Sequence, residues 1–393
     1  MKPLLFSILP RPPHPTRDGL AIRNFHLLRA LARNFRVRAF ILKAPHLPDG
    51  EYPDGVEARE FAQAGRSRRR ALAAAESLAF GRAYPPLLYR SRALVRALEA
   101  AASQERPTWI VAHSYHVGPL AQSTGGPSWI DFHNLDSQIW ARVGQTASSR
   151  WQRWFASLQA HRVEAVEAAL ASAARGVSCV SGRDAHALEA LSPGVRPVVA
   201  PNGVDLTRYA FRREASPGKN LFFVGDLSWP PNAEAIRWFR REIWPRVRRA
   251  HPDAVVEVLG RELPADLAEG NDPSFRLFGE GNDTRPHWAK AAVAVVPLRA
   301  GGGTRLKILE AAASGVPVVS TSIGAEGLEF EHDREILLAD DAESFADGVV
   351  GLLGNGERRA QMARAARARV EKLYDWDPIG RDLSAQLIAR RTV

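Results

Sequence analysis

Short apolar runs alternate with helical patterns along almost the whole chain, and this alternation most constrains the fold. The runs are apolar throughout instead of alternating with polar residues, which is typical of parallel strands buried on both faces. Helical patterns open at Gly19 and cover residues 232–250 and 305–313. The sequence therefore predicts an α/β fold with doubly wound parallel sheets. The predicted strands are residues 4–9, 36–42, 109–112, 128–132, 176–180, 197–200, 220–224, 254–259, 275–278, 292–297 and 316–320.

A turn-forming cluster, Pro201-Asn202-Gly203, follows the sixth run and divides the pattern into two halves of similar size. We expect two Rossmann-like domains, residues 1–200 and 201–375, followed by a C-terminal helical segment, 376–393. In that segment Asp377 precedes Pro378, which predicts an N-cap followed by proline at the first helical position.

Composition excludes several classes of protein. The single cysteine, Cys179, rules out an intramolecular disulfide framework and a cysteine-built zinc site. No apolar run approaches the ~20 residues of a membrane span. The formal charge of +10 suits phosphate-rich partners: nucleotide sugars, anionic lipid or nucleic acid. The chain has no basic-aromatic recognition motif, so we expect no nucleic-acid partner.

Glycines follow four predicted strands of the second half, at Gly225, Gly260, Gly279 and Gly301–Gly303. Ligands of open α/β sheets bind at the carboxyl ends of strands. Glycine also occurs in strand-to-helix turns that have no role in binding. Glycines at four strand ends along one edge nevertheless favour a site where a ligand approaches the backbone.

The richest segment reads as a strand, the loop Gly301-Gly302-Gly303-Thr304, a helix, a glycine stop and another strand. Free N–H groups and the positive end of the helix dipole would bind a diphosphate there. Arg305 and Lys307 add positive charge. Glu310, two turns into the helix, could accept hydrogen bonds from a ribose diol, or it could pair with Lys307 one turn earlier.

The stretch GGGTRLKILEAAASGVPVVSTSIGAEGL resembles the donor-site motif of GT-B glycosyltransferases of family 4. The Gly19 loop, Pro201–Asp205, Phe223–Asp226 and Tyr374–Asp377 agree in order and spacing. The resemblance implies two domains facing a central cleft, with the last helix packing back on the first domain. It also implies that Glu310 binds ribose. The expected donor-binding residues are Gly225, Gly279, Gly301, Gly302, Gly303, Thr304, Arg305, Lys307 and Glu310.

The first half is expected to hold the acceptor. His133 follows the strand at 128–132, where the resemblance implies contact with the donor sugar or the reacting centre, and Gly19 belongs to the loop after the first strand. We predict catalytic roles for both. Arg17, Asp18 and His113 are acceptor-side candidates, with His116 a further alternative to His133. A lone histidine is more often a structural residue, so that interpretation stays open.

Two positions depart from the family pattern. Gly302 stands where many members carry a first glutamate, and Asp226–Pro230 replaces an arginine and lysine pair. We expect the missing carboxylate to relax sugar selectivity, with the anomeric configuration still retained.

The resemblance, closest to bacterial enzymes of exopolysaccharide assembly, implies a hexosyl-type glycosyltransferase. It would use a nucleoside-diphosphate sugar and a carbohydrate or polyprenyl-linked acceptor. The alternative is a non-catalytic nucleotide-sugar-binding or partner subunit. We expect no cofactor and no metal, and a cytoplasmic protein in possible peripheral contact with anionic membrane at its inner face. The run at 66–70 and the amphipathic stretch at 87–98 suggest that contact, although the latter could equally be a core helix under a basic face.

Overall fold

The computed structural model describes residues 2–14, 18–45, 47, 49–146, 149–214, 216–268, 272–279, 283–301 and 303–392. The chain forms two compact units. The N-unit comprises Met1–Pro201 with Trp376–Val393, and the C-unit comprises Asn202–Asp375.

The first 201 residues of the N-unit alternate strands with helices, and a 3-10 turn at Tyr115–Val117 follows the fourth strand. The elements are β1 (Leu4–Leu9), α1 (Gly19–Asn34), β2 (Arg36–Lys43), β3 (Val56–Ala62), α2 (Arg66–Phe80), α3 (Tyr84–Leu87), α4 (Arg92–Glu105), β4 (Trp109–Ala112), α5 (Gly118–Gln122), β5 (Ser128–Phe132), α6 (Asp136–Thr146), α7 (Arg150–Ala173), β6 (Gly176–Cys179), α8 (Gly182–Leu191) and β7 (Val198–Val199).

The described N-unit strands form one parallel sheet in the order β3-β2-β1-β4-β5-β6-β7. Successive residues of a strand point to opposite faces, and both faces are buried. In β1, Leu5 and Leu9 join one apolar cluster while Phe6 and Ile8 join another. This double burial explains why the strands are apolar throughout.

The C-unit repeats the pattern, with a π-helical turn at Phe239–Ile243 joining two of its helices. Its elements are β8 (Asn220–Val224), α9 (Pro230–Trp238), α10 (Trp244–Ala250), β9 (Val255–Leu259), α11 (Ala265–Ala268), β10 (Phe275–Phe278), α12 (Arg285–Lys290), β11 (Val293–Val296), α13 (Leu306–Ser314), β12 (Val318–Ser320), β13 (Leu337–Leu338), α14 (Ala342–Gly354) and α15 (Gly356–Leu373).

The described C-unit strands form a parallel sheet in the order β10-β9-β8-β11-β12-β13. In both units the chain starts near the middle of the sheet, builds one side and crosses back to build the other. The prediction of two doubly wound parallel sheets is therefore confirmed. The crossing point at β8 and β11 is where such sheets bind ligands.

The last helix, α16 (Trp376–Ala389), belongs to the N-unit and packs on α1. Trp376 stacks on His26 with ring centroids 5.0 Å apart. The Asn34 side-chain amide donates to Ser384 Oγ at 3.0 Å.

The expected N-cap at Asp377 is wrong, because α16 begins at Trp376 and places Asp377 inside its first turn. There the carboxylate lies 3.1 Å from Arg33 and 3.5 Å from Arg29 of α1. A tertiary ion pair has taken the place of the expected local cap.

Two strands escaped sequence analysis. β3 reads mostly as polar because one of its faces is exposed at the sheet edge, and β13 has only two residues. The stretch at 87–98 is divided between α3 and α4, and its leucines at 94 and 98 are completely buried. These two leucines therefore belong to the core. No helix in the described part of the chain has the length and apolarity to cross a membrane.

Gly380 marks the closest approach of α16 to α1, since a Cβ built there would lie 2.3 Å from Ala30 Cβ. We expect Gly380→Ala to lower the free energy of unfolding by about 1–3 kcal/mol through overpacking, measured by urea denaturation. Gly182→Ala is the matched control, because nothing lies within 4 Å of its Cβ position. Equal stability of the two variants would contradict the tight contact.

Candidate functional sites

The glycine loop after β11 has a backbone that only glycine adopts readily. Gly301 and Gly303 have φ of +117° and +77°, values in the region that disfavours other residues. A Cβ on Gly301 would lie 2.5 Å from the Trp229 ring and 2.7 Å from Arg305 Nη2. The third loop glycine, Gly302, lies outside the described residues.

The helix after this loop begins at Leu306, not at Thr304 or Arg305 as expected, because Arg305 is extended and forms the N-cap position. The buried Arg305 guanidinium lies 5.4 Å from the centroid of the Trp229 ring. Thr304 Oγ1 is buried and has no hydrogen-bond partner among the described residues. Buried hydroxyls are ordinarily paired, so this one is available to a ligand.

Lys307 lies at the crossing point of the sheet, beside Gly225. Its ammonium donates to Asn232 Oδ1 at 3.2 Å and lies 3.9 Å from the centroid of the Phe223 ring. A Cβ on Gly225 would come within 2.8 Å of Lys307 Nζ. Burial, reinforced by the nearby positive charge of Arg305, holds the pKa of Lys307 well below its usual range. An anion bound here would reverse that effect.

Glu310 is oriented by two side chains that the sequence analysis did not single out. Its Oε2 accepts from Trp288 Nε1 at 3.1 Å and from Thr284 Oγ1 at 3.2 Å. Burial raises the pKa of the carboxyl. The ammonium of Lys307 points to Asn232 instead, and the described residues show no Lys307–Glu310 ion pair. The alternative that Glu310 merely pairs with Lys307 is therefore wrong.

Arg261 is a further residue that the sequence did not single out. It follows Gly260 at the carboxyl end of β9 and pairs with Asp226, which follows Gly225 at the end of β8. A cation thus stands close to the segment where the family's basic pair is absent. The sequence feature that could have identified Arg261 is its position directly after a glycine at the end of a strand.

Gly279 follows β10, and nothing lies within 4 Å of its Cβ position. The carboxyl ends of neighbouring parallel strands share one edge, so Gly225, Gly260, Gly279 and the loop after β11 follow the same edge of the C-unit sheet.

In the N-unit, His133 follows β5 and borders a buried charge cluster. Its Nε2 lies 3.1 Å from Asp131 Oδ2. Arg23 of α1 binds the same carboxylate through Nε at 2.8 Å and Nη2 at 2.7 Å, and Ser178 Oγ donates to it at 2.6 Å. The imidazole is 11% exposed.

Opposite shifts of pKa accompany this geometry. Despite burial, Arg23 and the neighbouring hydrogen bonds hold the pKa of Asp131 well below its usual range. Burial lowers the pKa of His133 although Asp131 opposes the shift. At neutral pH the cluster therefore combines an ionised carboxylate with a neutral imidazole.

The remaining N-unit candidates lie at other places on the carboxyl edge. His113 is completely buried, with Nε2 3.3 Å from Ser7 Oγ. Asp18 caps α1 by accepting from the N–H of Ala21 at 3.1 Å, and exposed Gly19 begins the helix. Arg17 lies outside the described residues. The alternative His116 lies 3.3 Å from Asp136, with its Nδ1 2.6 Å from Ser114 Oγ.

The described residues contain no group of three or more histidine, cysteine or acidic side chains that could hold a metal ion.

Comparison with known families assigns both halves of the chain. Residues 17–208 match the family described as Glycosyltransferase Family 4, and residues 218–355 match Glycosyl transferases group 1.

Two curated relatives match part of the chain. Glycogen synthase of Mycobacterium tuberculosis is 26% identical over 261 residues, which cover 62% of this chain and 61% of the relative. Phosphatidyl-myo-inositol mannosyltransferase of Mycolicibacterium smegmatis is 27% identical over 215 residues, 51% of this chain and 52% of the relative. The match thus spans roughly half to three-fifths of the length of these relatives.

Among solved structures, Anabaena HepE in complex with UDP and glucose superposes with a TM-score of 0.68. The superposition covers 98% of this chain and 99% of that chain at 14% identity. The likeness establishes a shared GT-B fold.

His113 should make the protein sensitive to acid. Burial lowers its pKa from 6.5 to about 4. Between pH 6.5 and 4, His113 is therefore protonated in the unfolded chain and neutral in the folded chain. Stability present above pH 6.5 is thus lost as the pH falls to 4, by about 3 kcal/mol.

We expect His113→Asn to remove this part of the pH dependence, measured by urea denaturation at several pH values between 7.5 and 4. His161→Asn, which changes an exposed histidine of the same unit, should leave the pH dependence unaltered. If the free energy of unfolding of His113→Asn fell with pH as steeply as that of the wild type, burial of His113 would not be the cause of the acid sensitivity.

Proposed function

Because the chain belongs to the family 4 glycosyltransferases, we propose that it transfers a hexosyl group from a nucleoside-diphosphate sugar to a carbohydrate or lipid-linked acceptor. The observation that carries the proposal is the glycine loop after β11, which brings backbone, Lys307 and Glu310 to one strand edge. HepE, which shares the fold, was solved with UDP and glucose.

The C-unit would hold the donor. The loop amides and the start of α13 would face the diphosphate, and Lys307 and Arg305 would offset its charge as the leaving group departs. Thr304 Oγ1 would find there the partner it lacks among the described residues. Glu310, oriented by Trp288 and Thr284, would accept from the ribose hydroxyls.

The N-unit would supply the acceptor side and His133. The imidazole of His133 has its Nε2 3.1 Å from Asp131 Oδ2, and it would contact a sugar hydroxyl near the reacting centre. Gly19 would let substrate approach the backbone at the start of α1, and Asp18 remains an acceptor-side candidate, whereas His113 is completely buried and would have a structural role. We further propose that the anomeric configuration is retained and that no metal takes part.

The acceptor would be a growing polysaccharide or a polyprenyl-linked glycan at the inner face of the membrane. The support is the resemblance to enzymes of exopolysaccharide assembly and the similarity to a mannosyltransferase named for phosphatidyl-myo-inositol. Both are consistent with a lipid-linked substrate.

A panel of nucleoside-diphosphate sugars, incubated in EDTA and scored by released nucleoside diphosphate, tests the proposal. We expect turnover of at least one donor, and proton NMR of the first product should show retention. Donor binding without any turnover, with or without acceptors, would favour the non-catalytic nucleotide-sugar binder. Activity restored only by Mg²⁺ or Mn²⁺ would overturn metal independence.

We expect Glu310→Ala to reduce kcat/KM for the donor by about 30- to 1000-fold, since removing charge-assisted hydrogen bonds to two ribose hydroxyls costs about 2–4 kcal/mol. Steady-state kinetics with a fixed acceptor measure the loss. Glu343→Ala, an exposed change in α14 of the same unit, is the control. Unchanged kinetics in a folded Glu310 variant would make this carboxylate structural.

Binding of a nucleoside diphosphate should take up a proton at Lys307, because the bound anion raises a pKa that burial holds low. The affinity for UDP or GDP should therefore fall as the pH rises through the lowered pKa of the free protein. Calorimetry in buffers of different ionisation enthalpy measures the proton uptake.

Lys307→Met should abolish this uptake, whereas Lys290→Met, at an exposed lysine of the same unit, should preserve it. Equal proton uptake in both variants would contradict a role for Lys307 in binding the diphosphate.

A further inference from the structure

Large apolar side chains are exposed on three helices of the N-unit. Phe80 at the end of α2 is 73% exposed, Leu72 in the same helix 61%, and Trp151 near the start of α7 60%. Soluble proteins rarely leave several such side chains uncovered in one region. The exposed set comprises Leu72, Leu78, Phe80, Val143, Trp151 and Trp154.

α2 has its larger apolar residues on the outside. Its buried positions, Ala73 and Ser77, are small, whereas Leu72, Leu78 and Phe80 face solvent. An ordinary surface helix has the opposite arrangement, with its large apolar residues facing the core. The outer face of α2 therefore suits contact with an apolar partner.

α7 packs against α2 and also has exposed apolar side chains. Gln159 of α7 donates to Ser77 Oγ at 3.0 Å, and Arg162 donates to the Ser77 carbonyl at 2.7 Å. At the start of α7 the rings of Trp151 and Trp154 lie 4.8 Å apart. The two helices are thus fastened together, and both carry exposed apolar groups.

The net charge of the whole chain is concentrated in these segments. α2 contains four arginines and one glutamate, and residues 137–163 contain four arginines and no acidic residue. Their formal charge of +7 is most of the +10 of the complete chain. The one glutamate, Glu76, is occupied by ion pairs with Arg82 and Arg90.

We propose that the outer faces of α2 and of the start of α7, which we call the docking face, rest on an anionic lipid bilayer. Phe80, Leu72 and the two tryptophans would enter the interface, where aromatic rings are favoured, while exposed Arg68 and Arg70 meet lipid phosphates. Leu94 and Leu98 have no part in the contact, because they are buried in the core.

The positive charge and the exposed apolar side chains of the docking face together favour anionic lipid over a second copy of the chain or a nucleic acid. Two copies of a face this positive would repel each other, and a nucleic acid would leave the exposed leucines and phenylalanine uncovered. Anionic lipid complements both properties at once. The docking face locates the membrane contact that the sequence suggests, and lipid binding there needs neither donor nor turnover.

Co-sedimentation of the full chain with vesicles tests the docking face. We expect binding to phosphatidylcholine vesicles that contain phosphatidylglycerol, little binding to phosphatidylcholine alone, and release by salt. Phe80→Ser with Trp151→Ser should reduce the partition coefficient at least tenfold. Val199→Ser with Ile388→Ser, which removes two exposed apolar side chains elsewhere in the N-unit, should not.

Arg68→Gln with Arg70→Gln should weaken binding by roughly fivefold for each arginine. Arg246→Gln with Arg249→Gln, at exposed positions of the C-unit, is the charge control. Circular dichroism and thermal unfolding establish that each variant is folded, and any transferase activity on soluble acceptors should persist in the docking-face variants.

Equal binding to neutral and anionic vesicles, or full binding by both docking-face variants, would overturn the proposal. So would a dimer in sedimentation velocity that Phe80→Ser with Trp151→Ser converts to monomer, because a second copy would then cover the face. Each of these results leaves the transferase proposal standing.

Discussion

The buried ion pair of Arg23 and Asp131 holds the N-unit together at the point where its chemistry is expected. Arg23 donates twice to the carboxylate, and through Nη1 to the carbonyls of Ala200 at 2.8 Å and Pro201 at 3.2 Å. One side chain thus ties α1, β5 and the last residues before the C-unit. A buried charge is tolerated only when it is so fully paired, and the same carboxylate lies 3.1 Å from His133 Nε2.

The C-unit places two basic side chains, Arg305 and Lys307, close together beside the glycine loop. Arg305 lies close enough to Lys307 to contribute to the lowering of the lysine pKa, and a polyanion bound beside them would stabilise both cations. Glycine at Gly225 and Gly301 leaves room for these side chains, since a Cβ at either position would collide with Lys307 or Arg305. The glycines that make a ligand site possible are therefore also required by the packing of the cations.

The donor and the acceptor of the proposed reaction would bind different kinds of protein surface. A nucleotide donor is soluble and small, and the side chains assigned to it, Arg305, Lys307 and Glu310 among them, are buried or half-buried in the C-unit. A lipid-linked acceptor stays at a bilayer, and the N-unit exposes arginines together with Phe80 and Trp151. Most of the excess positive charge of the chain thus lies in α2 and residues 137–163, the part of the N-unit that we propose contacts lipid.

The sequence by itself determined the fold class, most strand positions and the glycine loop, because strands buried on both faces and glycine at strand ends leave strong local patterns. Only the tertiary structure decided which partners the key side chains choose. Glu310 binds Trp288 and Thr284 instead of Lys307, and Asp377 binds Arg33 of α1 instead of capping its own helix. It also decided that Leu94 is core while Leu72 is surface. Periodicity shows that a helix has an apolar side, but which side is covered depends on elements distant in sequence.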